Sequence, residues 1–145
     1  MKLKSFEHMN CSLAQTLNIV GERWSLLIIR DASFGVSRFD DFQKSLGVAR
    51  NMLSMRLKQL TKFGILEKSV DEGNRTEYHL TKKGWDLMPV LLSMTHWGDK
   101  YVPAESGERV VFVDRESGRP IESMSIHDAD GKRLGVHDIR ARFPR

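Results

Sequence analysis

The apolar residues at the start of the chain recur with the period of a helix in two neighbouring segments. The first, LAQTLNIVG, is predicted to begin after a cap at Ser12 and to end at Gly21. The second is predicted to run from Glu22 to Gly35. Its core residues are expected to be Trp24, Leu27, Ile28 and their apolar neighbours.

Two more helices are predicted next, separated by a tight turn at Gly47 and Val48. Ser37 is expected to cap the first, RFDDFQKSLG, and the second covers residues 49–63. The apolar faces are formed by Phe39, Phe42 and Leu46 in the first helix and by Leu53, Leu57 and Leu60 in the second. The remaining faces of the second helix are basic and polar. Two helices joined by a short glycine-containing turn, the second of them basic, indicate a helix-turn-helix.

After Gly64 the period of the pattern changes from that of a helix to that of a strand. The stretches ILEKSV and TEYHLT are predicted to be two strands, because DEGNR between them supplies the residues of a hairpin turn. Helices followed by such a hairpin form a winged helix-turn-helix.

A long helix, KKGWDLMPVLLSMTHWGDKYV, is predicted after a cap at Thr81, and Pro89 inside it is expected to kink it. Its apolar residues face nearly every side: Leu87, Met88, Val90, Leu91, Leu92, Met94 and Trp97. A small domain cannot cover such a helix alone. A second copy of the chain is the expected cover, so the helix is predicted to mediate a homodimer.

Pro103 marks a predicted boundary. Residues 103–145 are predicted to form a small all-β extension with strands RVVFV and IESMSI and turns RESGRP and HDADGKR. The predicted fold class is therefore α+β, with a winged helix-turn-helix and dimerisation domain over residues 1–102 and the extension after it.

Composition excludes several classes of protein. No apolar run in the 145 residues approaches the roughly 20 needed to span a membrane, and the N-terminus lacks the apolar core of a signal peptide. We therefore expect a cytoplasmic protein. Its single cysteine, Cys11, excludes an internal disulfide framework and a cysteine-based zinc site within one chain.

The positive charge is concentrated around the basic helix. The net charge is +4, and between Phe42 and Lys68 there are six basic residues and one acidic residue. From Pro103 to Arg145 there are eight of each sign. A local excess of this kind is typical of a surface that binds phosphates.

Three stretches of the chain resemble the HxlR-type transcriptional regulators, a branch of the winged-helix proteins close to MarR: NCSLAQTLNIVGERWSLLIIRDASFG, RFDDFQKSLGVARNMLSMRLKQLTKFGIL and TEYHLTKKGWDLMPVLLSMTHWG. The residues that match in order and spacing are Gly21, Arg23, Trp24, Leu57, Leu60, Gly64, Glu77, Tyr78, Leu80, Thr81, Gly84 and Trp97. The resemblance covers roughly residues 11–102. It implies a homodimer built on the first and last helices, and sequence-specific binding of double-stranded DNA.

Two segments depart from the family pattern. The family's wing often carries two prolines before its basic residue, whereas here the tip is acidic at Asp71 and Glu72 and keeps Arg75. In some relatives the tail resembles a zinc ribbon with paired cysteines, but here Ser117 and Asp130 precede the glycines. The extension is therefore expected to keep zinc-ribbon-like turns without metal ligands.

The basic helix is predicted to lie in the major groove. Arg50 suits guanine, Asn51 suits adenine, and Ser54 suits a base or a phosphate. Lys58 and Lys62 suit phosphates, which fix position without reading sequence. The competing interpretation is an ordinary solvated basic face.

Three further arginines have two interpretations each. Arg56 either faces a phosphate or braces the domain through an acidic neighbour. Arg75 either enters the minor groove or is an ordinary turn charge. Arg38 either contacts the DNA backbone or pairs with Asp40 or Asp41 in solvent.

Cys11 lies just before the first helix, where the helix dipole can activate a thiol. The resemblance implies sensing of oxidants or electrophiles through a cysteine at this place. With one cysteine, a switch would require sulfenic acid, an adduct, or a disulfide across the dimer. The competing interpretation is a small buried packing residue.

No catalytic motif, metal-ligand spacing among the histidines, or cofactor motif is present, so neither an enzyme nor a cofactor is predicted. The leading hypothesis is a homodimeric DNA-binding regulator on a pseudo-palindromic operator, responsive to a redox, electrophile or small-molecule signal. The alternative is a winged-helix module that binds proteins. A third hypothesis is an enzyme or ligand carrier centred on residues 103–145.

Overall fold

The computed structural model describes residues 4–106, 109–122 and 124–144. Contacts divide the chain into two compact units, Met1–Leu91 and Leu92–Arg145. The elements are, in chain order, α1 (Ser12–Val20), α2 (Arg23–Ser33), α3 (Phe39–Leu46), α4 (Arg50–Lys62), β1 (Leu66–Val70), β2 (Thr76–Leu80), α5 (Lys82–Trp85), α6 (Met88–Tyr101), β3 (Ile126–His127) and β4 (Arg133–Leu134).

The first unit is a winged helix-turn-helix, as the sequence predicts. Helix α3 is followed by its C-cap Gly47, whose positive φ of 65° favours glycine, and α4 begins three residues after Gly47. Strands β1 and β2 pair antiparallel, from Leu66 opposite Leu80 to Val70 opposite Thr76. Residues 71–75 form the predicted turn between them, and this hairpin is the wing.

The predicted apolar stripe of α4 is confirmed. Leu53, Leu57 and Leu60 are each 0% exposed and belong to one core with residues of the other helices and the hairpin. That core also contains Val20, Ile28, Ile29, Phe42, Val48, Ile65, Leu66 and Leu80. Trp24 packs against this core while remaining partly exposed. Burial of the leucines fixes which side of α4 faces solvent.

Two predicted helix caps are wrong by one residue. Helix α1 is capped at Cys11, and Ser12 is its first residue. Helix α3 is capped at Arg38, and the carbonyl of Ser37 accepts a 2.8 Å hydrogen bond from the Tyr78 N–H on β2. That long-range contact holds Ser37 to the hairpin.

The single long helix predicted after Thr81 is wrong, because the structure has two helices there. Thr81 caps α5 as expected, accepting a 3.1 Å hydrogen bond from the Gly84 N–H. Helix α5 ends at Trp85, and α6 begins at Met88. In a continuous helix the Pro89 ring would clash with the carbonyl of Trp85, whereas in the first turn of α6 its missing N–H costs nothing.

The predicted strands of the second unit are much shorter than expected. β3 and β4 pair antiparallel over two residues each, and a single bridge joins Val113 to Pro120. Within IESMSI only Ile126 belongs to a strand, and Ser123 lies outside the described residues. Val110, in the predicted strand RVVFV, is 61% exposed. Backbone hydrogen bonds of this hairpin lie close to its turn, from the Ile121 N–H to the Phe112 carbonyl and from the Asp114 N–H to the Arg119 carbonyl.

The predicted turns of the second unit are present. The Asp114 carboxylate accepts hydrogen bonds from the Glu116 and Ser117 N–H groups, at 3.3 and 3.1 Å. The Asp128 carboxylate accepts hydrogen bonds from the Asp130 and Lys132 N–H groups, each at 2.9 Å. Within residues 4–106, 109–122 and 124–144, no cluster of histidine, cysteine or acidic side chains is placed to hold a metal ion. That residues 103–145 fold independently of residues 1–102, with a boundary at Pro103, remains a prediction.

Candidate nucleic-acid interface

Helix α4 presents a polar face opposite its buried leucines. Five side chains on that face are exposed: Arg50, Asn51, Ser54, Lys58 and Lys62. With 3.6 residues per turn, they fall within an arc of about 120°. All of the predicted α4 residues except Arg56 therefore share one accessible surface. The diameter of the helix and the charge of this surface both suit the major groove of DNA.

Arg50 is held in place at the N-terminus of α4. Its Nη1 donates hydrogen bonds to the Asp40 carboxylate at 3.1 Å and to the Gln43 side-chain oxygen at 3.0 Å. The guanidinium also lies 4.7 Å from the centroid of the Phe39 ring. The side chain remains 66% exposed. Helix α3 therefore orients Arg50 without covering it.

Arg56 has the acidic neighbour that the second of its two interpretations, a brace within the domain, requires. Its Nε lies 3.3 Å from a Glu22 carboxylate oxygen, and the two side chains are only 15% and 16% exposed. The same Glu22 carboxylate accepts a 2.9 Å hydrogen bond from the Trp24 N–H and so caps α2. Arg56 thus links the start of α2 to α4, outside the arc of the five exposed side chains.

Met55 is a candidate contact that the sequence analysis did not single out. It is 49% exposed and lies at the edge of the polar face of α4. An apolar side chain in the major groove can contact the methyl group of thymine. The helical pattern of the sequence could have revealed Met55 as an exposed residue, since it places Met55 away from the leucine stripe of α4.

The wing is joined to α3 through carboxylates, which the sequence analysis did not predict. Arg38 donates hydrogen bonds from Nη2 to Asp71 and, at 3.2 Å, to Glu77, rather than pairing with Asp40 or Asp41. Asp71 also accepts a 2.9 Å hydrogen bond from the Arg75 N–H. These partners are more than 30 residues from Arg38 in sequence, so no local pattern reveals them.

The hydrogen bond from Arg38 lowers the pKa of Asp71 to about 2, and the backbone hydrogen bond from Arg75 adds to this effect. In turn, Asp71 raises the pKa of Arg38. Because the folded pKa of Asp71 lies below the usual aspartate value of about 3.9, its contribution to stability is complete above that value. The contribution is lost as the pH falls toward about 2.

We expect an NMR titration of the Asp71 carboxyl to have a midpoint near 2. In Arg38→Met the midpoint should rise toward 3.8, because the largest cause of the shift is removed. Lys44→Met is the matched control, since Lys44 also lies on α3 but has no contact with Asp71 among the described residues. A wild-type midpoint near 3.8 would contradict the observed contact.

Cys11 is exposed, so the interpretation as a buried packing residue is wrong. The N-terminal segment folds back along α1, because the Gln15 side-chain amide donates hydrogen bonds to the carbonyls of Phe6 and Met9, at 3.1 and 2.7 Å. The thiol opens onto a shallow recess lined by Glu7, His8, Met9, Asn10, Ser12 and Gln15. A small reagent in solution can therefore reach it.

The sequence profile described as HxlR-like helix-turn-helix matches residues 19–106, more than half of the chain. The chain belongs to the HxlR-like helix-turn-helix family. The proteins of this family regulate transcription and are not enzymes. Among the described residues of this HxlR-like chain, no helix is long and apolar enough to cross a membrane.

Three of the proteins to which the chain is similar match it over different lengths. An uncharacterised HTH-type transcriptional regulator of Mycobacterium tuberculosis, MT3179, is 41% identical over 130 residues, which cover 88% of this chain and 82% of that protein. The crystal structure of PA1607, a candidate transcription factor, matches with a TM-score of 0.88 at 38% identity, covering 96% of this chain and 99% of PA1607. The redox regulator HypR in its reduced form matches with a TM-score of 0.58 at 28% identity, covering 63% of this chain and 96% of HypR.

Proposed function

We propose that this HxlR-like protein is a homodimeric transcriptional regulator that binds a pseudo-palindromic operator in double-stranded DNA. The observation that carries the proposal is the two-sided character of α4. Its three leucines are fully buried, and five of its basic and polar side chains share an exposed face. This is the arrangement of a recognition helix that reads base edges in the major groove.

The polar residues of α4 have separate roles in this proposal. Arg50, Asn51 and Ser54 lie in the first turns of the helix and contact base edges, while Lys58 and Lys62 contact phosphates. Arg56 holds α4 against α2 through Glu22. Arg75, which is 69% exposed at the tip of the wing, enters the neighbouring minor groove.

The homodimer is supported by apolar side chains that the chain leaves uncovered. Helix α6 has no buried residue, and its Met94, Trp97 and Tyr101 are 55%, 63% and 60% exposed at helical spacing. On α1, Leu13 and Leu17 are 68% and 44% exposed, one turn apart. Such apolar stripes are typical of helices that pack against a partner. Two α4 helices related by a two-fold axis would reach half-sites about 34 Å apart.

Binding to DNA of unrelated sequence tests the general proposal. The affinity should fall steeply with added salt, because the lysines and arginines displace counterions from phosphates. The alternative function, a module that binds proteins, would give weak binding that salt hardly changes. A folded protein with that behaviour toward every duplex tested would overturn the DNA-binding proposal.

Regulation through Cys11 belongs to the same proposal. It is supported by the exposed thiol at the start of α1 and by the similarity to HypR, which is described as a redox regulator. Modification there would disturb the helix that carries Leu13 and Leu17, and hence the dimer that presents two α4 helices.

We expect an electrophile such as a quinone to weaken operator binding at least about tenfold, because the adduct on Cys11 disturbs α1 and hence the dimer. A tenfold loss corresponds to about 1.4 kcal/mol of binding free energy. Cys11→Ser should bind the operator normally and should not respond, because serine keeps the shape without the thiol. Binding is measured by fluorescence anisotropy, and the adduct by mass spectrometry. A fully modified wild-type protein with unchanged affinity would remove Cys11 from regulation and leave other effectors, including small molecules, as the signal.

A further inference from the structure

The carboxylate of Asp71 contacts two arginines that come from different elements. Arg38 caps α3 and donates a hydrogen bond to it. The Nε of Arg75, in the turn of the wing, lies 3.3 Å from it. The Asp71 side chain is 18% exposed, whereas those of Arg38 and Arg75 are 29% and 69% exposed. The acid therefore lies between two guanidinium groups that solvent can still reach.

A carboxylate and a phosphate compete for the same hydrogen-bond donors of a guanidinium group. Arg38 has a second acidic partner in Glu77, at 3.2 Å. The two carboxylates offset the charge of the guanidinium groups that they contact, so Arg38 and Arg75 present little net positive charge to an approaching duplex. A phosphate can take the guanidinium donors that Asp71 now contacts, Nη2 of Arg38 and Nε of Arg75, only by displacing the Asp71 carboxylate.

We propose that Asp71 is a specificity-determining residue, which withholds Arg38 and Arg75 from DNA of unrelated sequence. This inference rests on the proposed DNA-binding function. On unrelated DNA the wing is not fixed against the duplex. Exchanging the Asp71 carboxylate for a DNA phosphate then gains little binding free energy for Arg38 and Arg75. On the operator the base contacts of α4 hold the wing beside the backbone, so that phosphate replaces the carboxylate. Asp71 therefore lowers non-specific affinity more than operator affinity.

The adjacent Glu72 provides a matched control for the charge of Asp71. Glu72 is exposed and, among the described residues, makes no hydrogen bond or ion pair. Glu72→Gln and Asp71→Asn change the net charge of the protein equally, but only Asp71→Asn frees the two arginines. The amide oxygen of asparagine can still accept the hydrogen bond from the Arg75 N–H. Differences between the two variants thus report the contacts of Asp71 rather than net charge.

The experiment measures affinity against salt for an unrelated duplex and for the selected operator. Each added phosphate contact steepens the salt dependence by about 0.9 in the logarithmic slope. Relative to Glu72→Gln, Asp71→Asn should steepen the slope on unrelated DNA for a dimer by about 2 when one of the two freed arginines in each protomer gains a phosphate, and by about 4 when both do. It should also lower the ratio of operator to non-specific affinity at least about threefold. Equal slopes and equal ratios in the two variants would overturn the inference.

A second variant keeps the test independent of any effect of Asp71→Asn on folding. Arg75→Met alters an exposed turn residue, and under the inference it leaves the slope on unrelated DNA unchanged while weakening operator binding. A fall in that slope of about 2 for the dimer would show that Arg75 is already free, and would overturn the inference. Failure of the wild-type protein to bind any duplex would instead overturn the proposed function, so the two failures are distinct.

Discussion

Trp97→Glu is expected to convert the proposed dimer into monomers. Trp97 is 63% exposed on α6 of the single chain, and its ring lies 5.1 Å from that of Tyr101. An aromatic side chain at the centre of an interface commonly contributes 2 kcal/mol or more. Two-fold symmetry places it there twice, so we expect the dimer dissociation constant to rise about 1000-fold or more. Sedimentation over a concentration series measures the change.

Trp97→Phe is the matched control, because it keeps an apolar ring at the same place and should remain dimeric. Circular dichroism should show that Trp97→Glu is folded, since the side chain has no role in the core of the single chain. The monomer should lose most of its operator affinity, because one α4 helix reaches only one half-site. A folded Trp97→Glu protein that is as dimeric as wild type would place the interface elsewhere.

Arg50→Ala is expected to produce the largest loss of sequence recognition. An arginine that binds guanine through two hydrogen bonds contributes about 1–3 kcal/mol of discrimination at each base. The proposed dimer carries two such arginines, so operator affinity should fall about 30-fold to 20000-fold. Affinity for unrelated DNA should change much less. Fluorescence anisotropy with both duplexes separates the two effects.

Lys58→Ala is the control for Arg50→Ala, since it removes one positive charge from the same exposed face. It should weaken binding to both duplexes alike and reduce the salt dependence. The ion pair of Arg50 with Asp40 is exposed, and such pairs contribute at most about 1 kcal/mol to stability. Arg50→Ala should therefore stay folded, and an unchanged operator affinity would remove Arg50 from base recognition.

The sequence predicts those parts of the fold that depend on local patterns. The leucine spacing of α4 identifies both its buried stripe and its exposed face. The alternating residues on either side of the DEGNR turn identify the wing, because strand periodicity and turn residues are short-range signals. The exposure of Arg50 and Lys58 follows from the same helical period, which places both residues away from the buried leucines.

The contacts that depend on tertiary structure could not be predicted in this way. Arg38 pairs with Asp71 and Glu77 because the hairpin folds back beside α3, a juxtaposition that no local spacing encodes. The helical wheel separates Arg56 from the exposed face of α4, but only the fold identifies Glu22 as its partner. These contacts pair residues that the sequence places among DNA contacts with acidic side chains elsewhere in the fold.

Pro89 shows how one residue admits two structures. Its place within an apolar helical pattern predicts a kink, whereas a full break between α5 and α6 satisfies its geometry equally well. The short strands of the second unit have a similar explanation. Alternating apolar residues there predict strands, but strands also require a partner surface, which the described residues supply only beside the turns.

Selection of bound sequences from random duplex DNA, repeated at two salt concentrations, tests the central claim most directly. The purified full chain should enrich one two-fold-symmetric site with half-sites about one helical turn apart. Its binding to that site should weaken steeply at the higher salt concentration. A folded dimer that enriches no sequence and binds no duplex in a salt-dependent way would contradict the assignment of α4 as a recognition helix.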